Sequence, residues 1–253
     1  MPLLHPAHPL DPGRVSGSVG ASGHFLLGDV EQAIEEADAQ GPAFSGEAGD
    51  TTAKGVAADV VGAPGVAPFV AGRVGIAEHA EAGLTYAGSR ARIDGRYAFE
   101  SGALALSGGL GLGILLAHPT ADPNDPPSGV GGIDTGAVSG FGVDVPVVVG
   151  YRSDGEIVQV WGGIRASYEQ AGGEVLVAGA PENTRAELDA TGISAQGLIG
   201  LAVGLRPVWV AAELGVGYLN VKGELSDPAG GPSSSARVDG VTLTPAGALM
   251  GRF

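Results

Sequence analysis

Alternation with a period of two residues dominates this chain, and it has an unusual polarity. In Gly102–Ala117 one face carries Leu104, Leu106, Gly108, Leu110, Leu112, Ile114 and Leu116, and the other carries Ala103, Ala105, Ser107, Gly109, Gly111 and Gly113. Successive side chains of a strand point to opposite faces, so this segment reads as a strand with one large apolar face and one nearly bare face. Pro207–Lys222 repeats the pattern. Val208, Val210, Ala212, Leu214, Val216 and Tyr218 oppose Trp209, Ala211, Glu213, Gly215 and Gly217. The solvent face of a soluble sheet is rich in Lys, Glu and Thr. Here the second face is Gly, Ala and Ser with sparse Arg and acid, which suits a crowded interior better than a wetted surface.

Ten such segments are expected, at 14–27, 66–76, 79–88, 90–100, 102–117, 140–152, 156–168, 191–206, 207–222 and 240–253. Most are ~9–13 residues long, the length of a tilted strand that crosses a bilayer. An even number closes an antiparallel ring with both termini on one side. The connections alternate between short ones (Ser153-Asp154-Gly155-Glu156 reads as a hairpin turn) and long ones (28–65, 118–139, 169–190 and 223–239), with one exception at Ser89. The reading is therefore all-β: one closed, up-and-down transmembrane barrel over 14–253, preceded by a short segment, 1–13, on the side of the short turns.

Composition excludes several classes. The 253 residues include 46 glycines but no Gly-X-Y period, and 44% of them are hydrophobic, with a positive mean hydropathy. Collagen and disorder are both ruled out. Cysteine is absent and the net charge is −15, so thiolate chemistry is excluded and nucleic acid is not an expected partner. No apolar run is long enough for a transmembrane helix. Met1-Pro-Leu-Leu-His-Pro-Ala-His-Pro lacks the basic and apolar regions of a signal peptide, so an export signal is expected to have been removed.

All five tyrosines fall on the apolar faces, mostly near strand ends. Tyr86, Tyr97, Phe99, Phe141, Tyr151, Tyr168, Tyr218 and Phe253 are expected to form the aromatic girdle that marks the two interfaces of a bilayer. Alternation with apolar residues outward, loop asymmetry and a last strand ending Ala248-Leu249-Met250-Gly251-Arg252-Phe253 together resemble the bacterial outer-membrane β-barrel class. The resemblance covers nearly the whole chain but no subfamily. It implies a Gram-negative outer membrane, porin-like architecture, lipid and lipopolysaccharide as surroundings, and recognition of the C-terminal aromatic by the barrel-assembly machinery. Gly251 departs from the class, which often has a bulky residue there, and Pro245 predicts a bulge or a weak ladder.

Charge is segregated. The four long connections hold 19 of the 28 acidic residues but only Lys54, Arg185 and Arg237 among the 13 basic ones. Most of the other arginines fall on the inner face, with a few acids. Arg73, Glu81, Arg92, Asp94, Arg96, Asp144, Arg165 and Glu213 are expected to form a lumen charge network, because unpaired charges in a confined space are costly. Asp29–Gln40 reads as a helix capped by Asp29, with Val30, Ala33, Ile34 and Ala37 as its apolar stripe, lying on the rim or entering the mouth as a plug.

Three functions are consistent with this pattern: a structural or interaction barrel with a filled lumen and acidic outer loops, a narrow pore for small solutes including anions, or a soluble barrel around an apolar ligand. No enzyme, cofactor or metal site is expected. His24, with Ser22 nearby, and His118 form too sparse a set for catalysis, and Asp122-Pro-Asn-Asp125 is ordinary turn chemistry.

Overall fold

The computed structural model describes residues 2–117, 129–177, 185–226, 231 and 233–253. In it the chain is a closed antiparallel ring. The strands are β1 (Val15–Leu27), β2 (Gly65–Ala77), β3 (Ala80–Ala87), β4 (Arg90–Ser101), β5 (Leu104–Leu115), β6 (Ile133–Asp134), β7 (Ser139–Arg152), β8 (Val158–Val177), β9 (Arg185–Leu205), β10 (Val208–Ser226) and β11 (Ser233–Arg252). Each ring strand pairs with its neighbour in sequence, and β11 pairs back onto β1 from Ser16↔Arg252 to Leu27↔Val241. The two-residue β6 pairs only with the far end of β8. The sheet thus has eleven strands, ten of them in the ring, where the sequence led us to expect ten.

Polarity is as the alternation requires. Leu110, Val147 and Leu214 point outward and are 53%, 41% and 43% exposed. Trp161 and Trp209 point inward and are almost fully buried. The exposed aromatics form two belts. Phe25, Tyr86, Phe141, Tyr168 and Tyr218 lie toward the long connections; Tyr97, Phe99, Tyr151 and Phe253 lie toward the short turns. Tyr97 and Phe99 meet edge to face at 5.1 Å. The turns are tight where glycine allows it: Gly102, at φ +61°, lets β4 return directly into β5.

Two of the expected loops are largely strand. Residues 169–177, 185–190, 223–226 and 233–239 continue β8 to β11, which run 20, 21, 19 and 20 residues. They rise roughly 20 Å beyond the length that spans a bilayer. The alternation persists there but its polarity inverts. On β9, Ile193, Ile199, Leu201 and Val203 face out, whereas beyond them Ala186, Leu188 and Ala190 face in, with Arg185, Glu187 and Asp189 outside. On β10 the switch falls between Tyr218 and Leu219, and Val221 and Leu225 continue inward. Outside the bilayer the exterior meets water, so the apolar side must turn to the interior.

The interior at that height is filled by helices. The connection 28–65 contains α1 (Asp29–Gln40), as expected, and a second helix, α2 (Gly46–Gly62), that the alternation did not reveal. Gly28 occupies the cap position of α1, and Asp29 is its first helical residue. It is α2 that enters the mouth. Val56 and Val60 pack with Val175, Leu188 and Leu225, and Ala57, Ala58 and Val61 with Leu26, Leu219 and Val238. α1 lies over α2 through Val30, Ala33 and Ala37. Pro245 makes no bulge: the β1–β11 ladder loses its rungs between Ser22↔Ala246 and Phe25↔Leu243 without changing register.

An outward charge should be intolerable at mid-strand. Leu110→Arg should destabilise the bilayer-embedded barrel by about 2–4 kcal/mol, read by denaturant titration of tryptophan fluorescence in liposomes. An unchanged midpoint would mean that this face does not meet lipid.

Candidate functional site in the barrel lumen

Three layers fill the ring from the short-turn end to the mouth. The lowest is the N-terminal segment. Residues 2–10 fold back into the lumen, where Leu3, Leu4, Ala7 and Leu10 are buried. Prolines at 2, 6 and 9 lack the amide a ladder needs, so side chains of the wall take up the backbone polar groups. The Leu3 and Leu4 amides donate to Glu213 Oε1 and Oε2 at 2.9 and 3.0 Å, and Trp161 Nε1 donates to the same carboxylate at 2.9 Å. Leu10 N donates to Glu81 Oε2 at 2.9 Å. Arg96 donates to the carbonyls of Pro6 and His8 and contacts His5 Nδ1 at 2.6 Å.

The middle layer is a ladder of ion pairs. Arg96 pairs with Glu81 at 2.7 Å, and Arg73 bridges Glu81 and Asp94. Arg92 joins Asp94 to Asp144, holding the latter through two nitrogens at 2.7 and 2.9 Å, and Arg165 reaches Asp144 at 3.1 Å. Seven of the eight residues expected in a charge network thus lie in one connected set. Glu213, the eighth, accepts from the amides of Leu3 and Leu4 and from Trp161. Arginine suits this layer because its planar fork can engage two carboxylates at once. The bare strand face makes room: a Cβ built at Gly111 would collide with Asp144 and with Arg92.

The upper layer is α2. Arg90 donates to the carbonyls of Val60 and Val61 at 3.0 Å each and pairs with Glu169. It thereby satisfies the carbonyl end of the helix and complements its dipole. Beside it a cavity of about 420 Å³ opens where β1 to β5 stop, lined in part by Ser22, His24, Asp59, Arg90 and Glu169. Burial pushes the Asp59 carboxyl above its ordinary value. His118 and Asp122–Asp125 lie outside the described residues. Among the described residues no group of three or more potential ligands could hold a metal ion.

Sequence reasoning missed the lowest layer and α2. A signal for the first was present: Leu3, Leu4 and Leu10 are too apolar for a free tail, and the prolines forbid a strand. Arg90 and Glu169 were legible as inward or rim charges but could not be paired without knowing where α2 ends.

Asp144→Ala would leave Arg92 with Asp94 alone and take from Arg165 the carboxylate it reaches. A loss of about 3–5 kcal/mol is expected in chemical denaturation; a loss below about 1 kcal/mol would mean the ladder is solvated. Asp59 gives the opposite sign. Its raised pKa means the docked helix favours the protonated acid, so docking is strongest below the ordinary carboxylate range and weakens as pH rises through the raised value. Asp59→Asn should therefore slow amide exchange in α2 at pH 7 and flatten its pH dependence; equal exchange in both proteins would refute this.

No family model matches the sequence, and no curated protein matches it. Solved structures similar to it include a major outer membrane protein from Thermus thermophilus, 14% identical over 94% of this chain and 99% of that one, with a TM-score of 0.39. The outer membrane protein OprG from Pseudomonas aeruginosa is 10% identical over 97% and 98%, at 0.41. The outer membrane protease OmpT from Escherichia coli is 9% identical over 95% and 94%, at 0.45. Read from its own closed ring, apolar exterior, paired aromatic belts and unequal ends, the chain has the fold of the small bacterial outer-membrane β-barrels.

Proposed function

We propose that this protein is a closed, non-conducting barrel of the outer membrane that presents an acidic outer face for interaction. The observation that carries this reading is occlusion in three layers: residues 2–10 below, the arginine–carboxylate ladder between, and α2 above. Two cavities beside the ladder, both lined in part by Arg165, measure about 50 and 60 Å³. Cavities of this size hold a few waters each, so the closure rests on the three layers themselves.

The acids stand where a partner would approach. Glu174, Glu187, Asp189 and Asp239 are exposed on the outer side of the tall strands. Such a face attracts cations diffusely, including those associated with lipopolysaccharide, and it repels anions. Bilayer lipid surrounds the girdle, and the strand ending at Phe253 is what the assembly machinery would read. A pore for small anions is the second reading, because the ladder is rich in arginine. It would require Arg73, Arg92 and Arg96 to release the carboxylates that now neutralise them.

Planar-bilayer recording separates the two. The full chain should give no unitary conductance, and replacing 29–62 by a short flexible linker should leave it closed, because the two lower layers remain. Stable channels from the intact protein would sink the closed-barrel reading in favour of the pore.

A further inference from the structure

Arginine is scarce in this acidic chain, yet four of its 13 basic residues meet at the short-turn end. Arg14, Arg152, Arg206 and Arg252 line one cavity of about 330 Å³, together with two acids, Asp11 and Glu156. The acids do not satisfy the arginines. Arg206 is paired with Glu156 at 2.7 Å, and Arg152 reaches the same carboxylate only at 3.5 Å and Glu100 only at 3.9 Å. Arg14 is exposed and makes no ion pair with any described residue. Arg252 lies over the Trp209 ring at 5.1 Å and donates one nitrogen to Gln159, but its Nε is buried with no acceptor among the described residues.

From these contacts we infer that this cavity binds a phosphodiester oxyanion, supplied by an anionic phospholipid of the leaflet at the short-turn end. The oxyanion supplies the acceptor that Arg14 lacks, and the Arg252 guanidinium lines the same cavity. The position selects a lipid over a soluble anion. Phe253, 64% exposed in the lower aromatic belt, forms part of the cavity wall, and Val15 and Val208 beside it are exposed on the barrel exterior. A headgroup in the cavity therefore leaves its acyl chains on the surface that already faces lipid. Basic residues at an anionic membrane surface attract its headgroups, and the attraction fades within a Debye length. Arg14 and Arg206, on the solvent side, are placed to draw the headgroup in. The inference rests on the reading of the barrel as membrane-embedded.

The test uses the full chain in mixed micelles containing equal phosphatidylglycerol and phosphatidylcholine, with retained lipid counted by native mass spectrometry. The wild type should retain phosphatidylglycerol preferentially. Arg14→Gln with Arg206→Gln should cut that preference by about tenfold. The corresponding double Lys variant should keep most of it, and Arg185→Gln at the opposite end should change nothing. Equal retention of both lipids by the wild type, or an undiminished preference in the Gln variant, overturns the proposal. A parallel arm titrates inorganic phosphate. Displacement of the lipid by micromolar phosphate would assign the site to a free oxyanion and overturn the lipid source. Heat-modifiable electrophoretic mobility of each sample in lipid reports insertion separately, so loss of the barrel itself is distinguished from loss of the site.

Discussion

Asp144 holds two arginines, and much of the interior is organised around that arrangement. A ring of ten strands encloses a space too narrow for bulk water and too wide to be filled by the small side chains of its own inner face. The unfilled width is spanned by Arg73, Arg92, Arg96 and Arg165, whose length is useful only if their charge is neutralised on the spot. Each carboxylate of the ladder serves two guanidiniums, so no member can be removed without stranding a neighbour. The apolar exterior decides where the barrel resides; the ladder is what spans its centre.

The same economy explains the two caps. Below the ladder there is no helix or sheet, only a proline-spaced segment that cannot satisfy its own backbone. Glu213, Glu81 and Arg96 serve it as amide and carbonyl partners. Above the ladder α2 satisfies its backbone internally, apart from its last carbonyls, which Arg90 takes. Polar wall residues thus appear where an inserted segment is irregular, and apolar ones where it is helical.

This arrangement also sets the limits of what could be read in advance. The membrane-spanning strands were legible because lipid imposes one rule on the whole exterior: Leu104 to Leu116 carry it with one break, at Gly108, and Val208 to Tyr218 carry it throughout. The tall halves of β8 to β11 were not, because the rule changes sign where lipid ends. Ala186, Leu188 and Ala190 alternate as cleanly as Ile199, Leu201 and Val203, but in the opposite phase. A reader following one phase sees a strand stop at 191. The inward position of seven network residues follows from alternation alone. Their pairing, and the assignment of Glu213 to the N-terminal amides, depend on contacts between residues as much as 210 positions apart, which no local pattern encodes.

The unequal height of the wall has a further consequence. A barrel of even height looks alike from every direction in the membrane plane; this one has a front and a back. Among the described residues, a neighbour drifting toward β1 to β5 meets a low sill and, behind it, the cavity beside α2. A neighbour drifting toward β8 to β11 meets a charged parapet. Lateral encounters therefore carry a compass bearing, and rotation of the molecule about its own axis becomes a variable that its surroundings can sense.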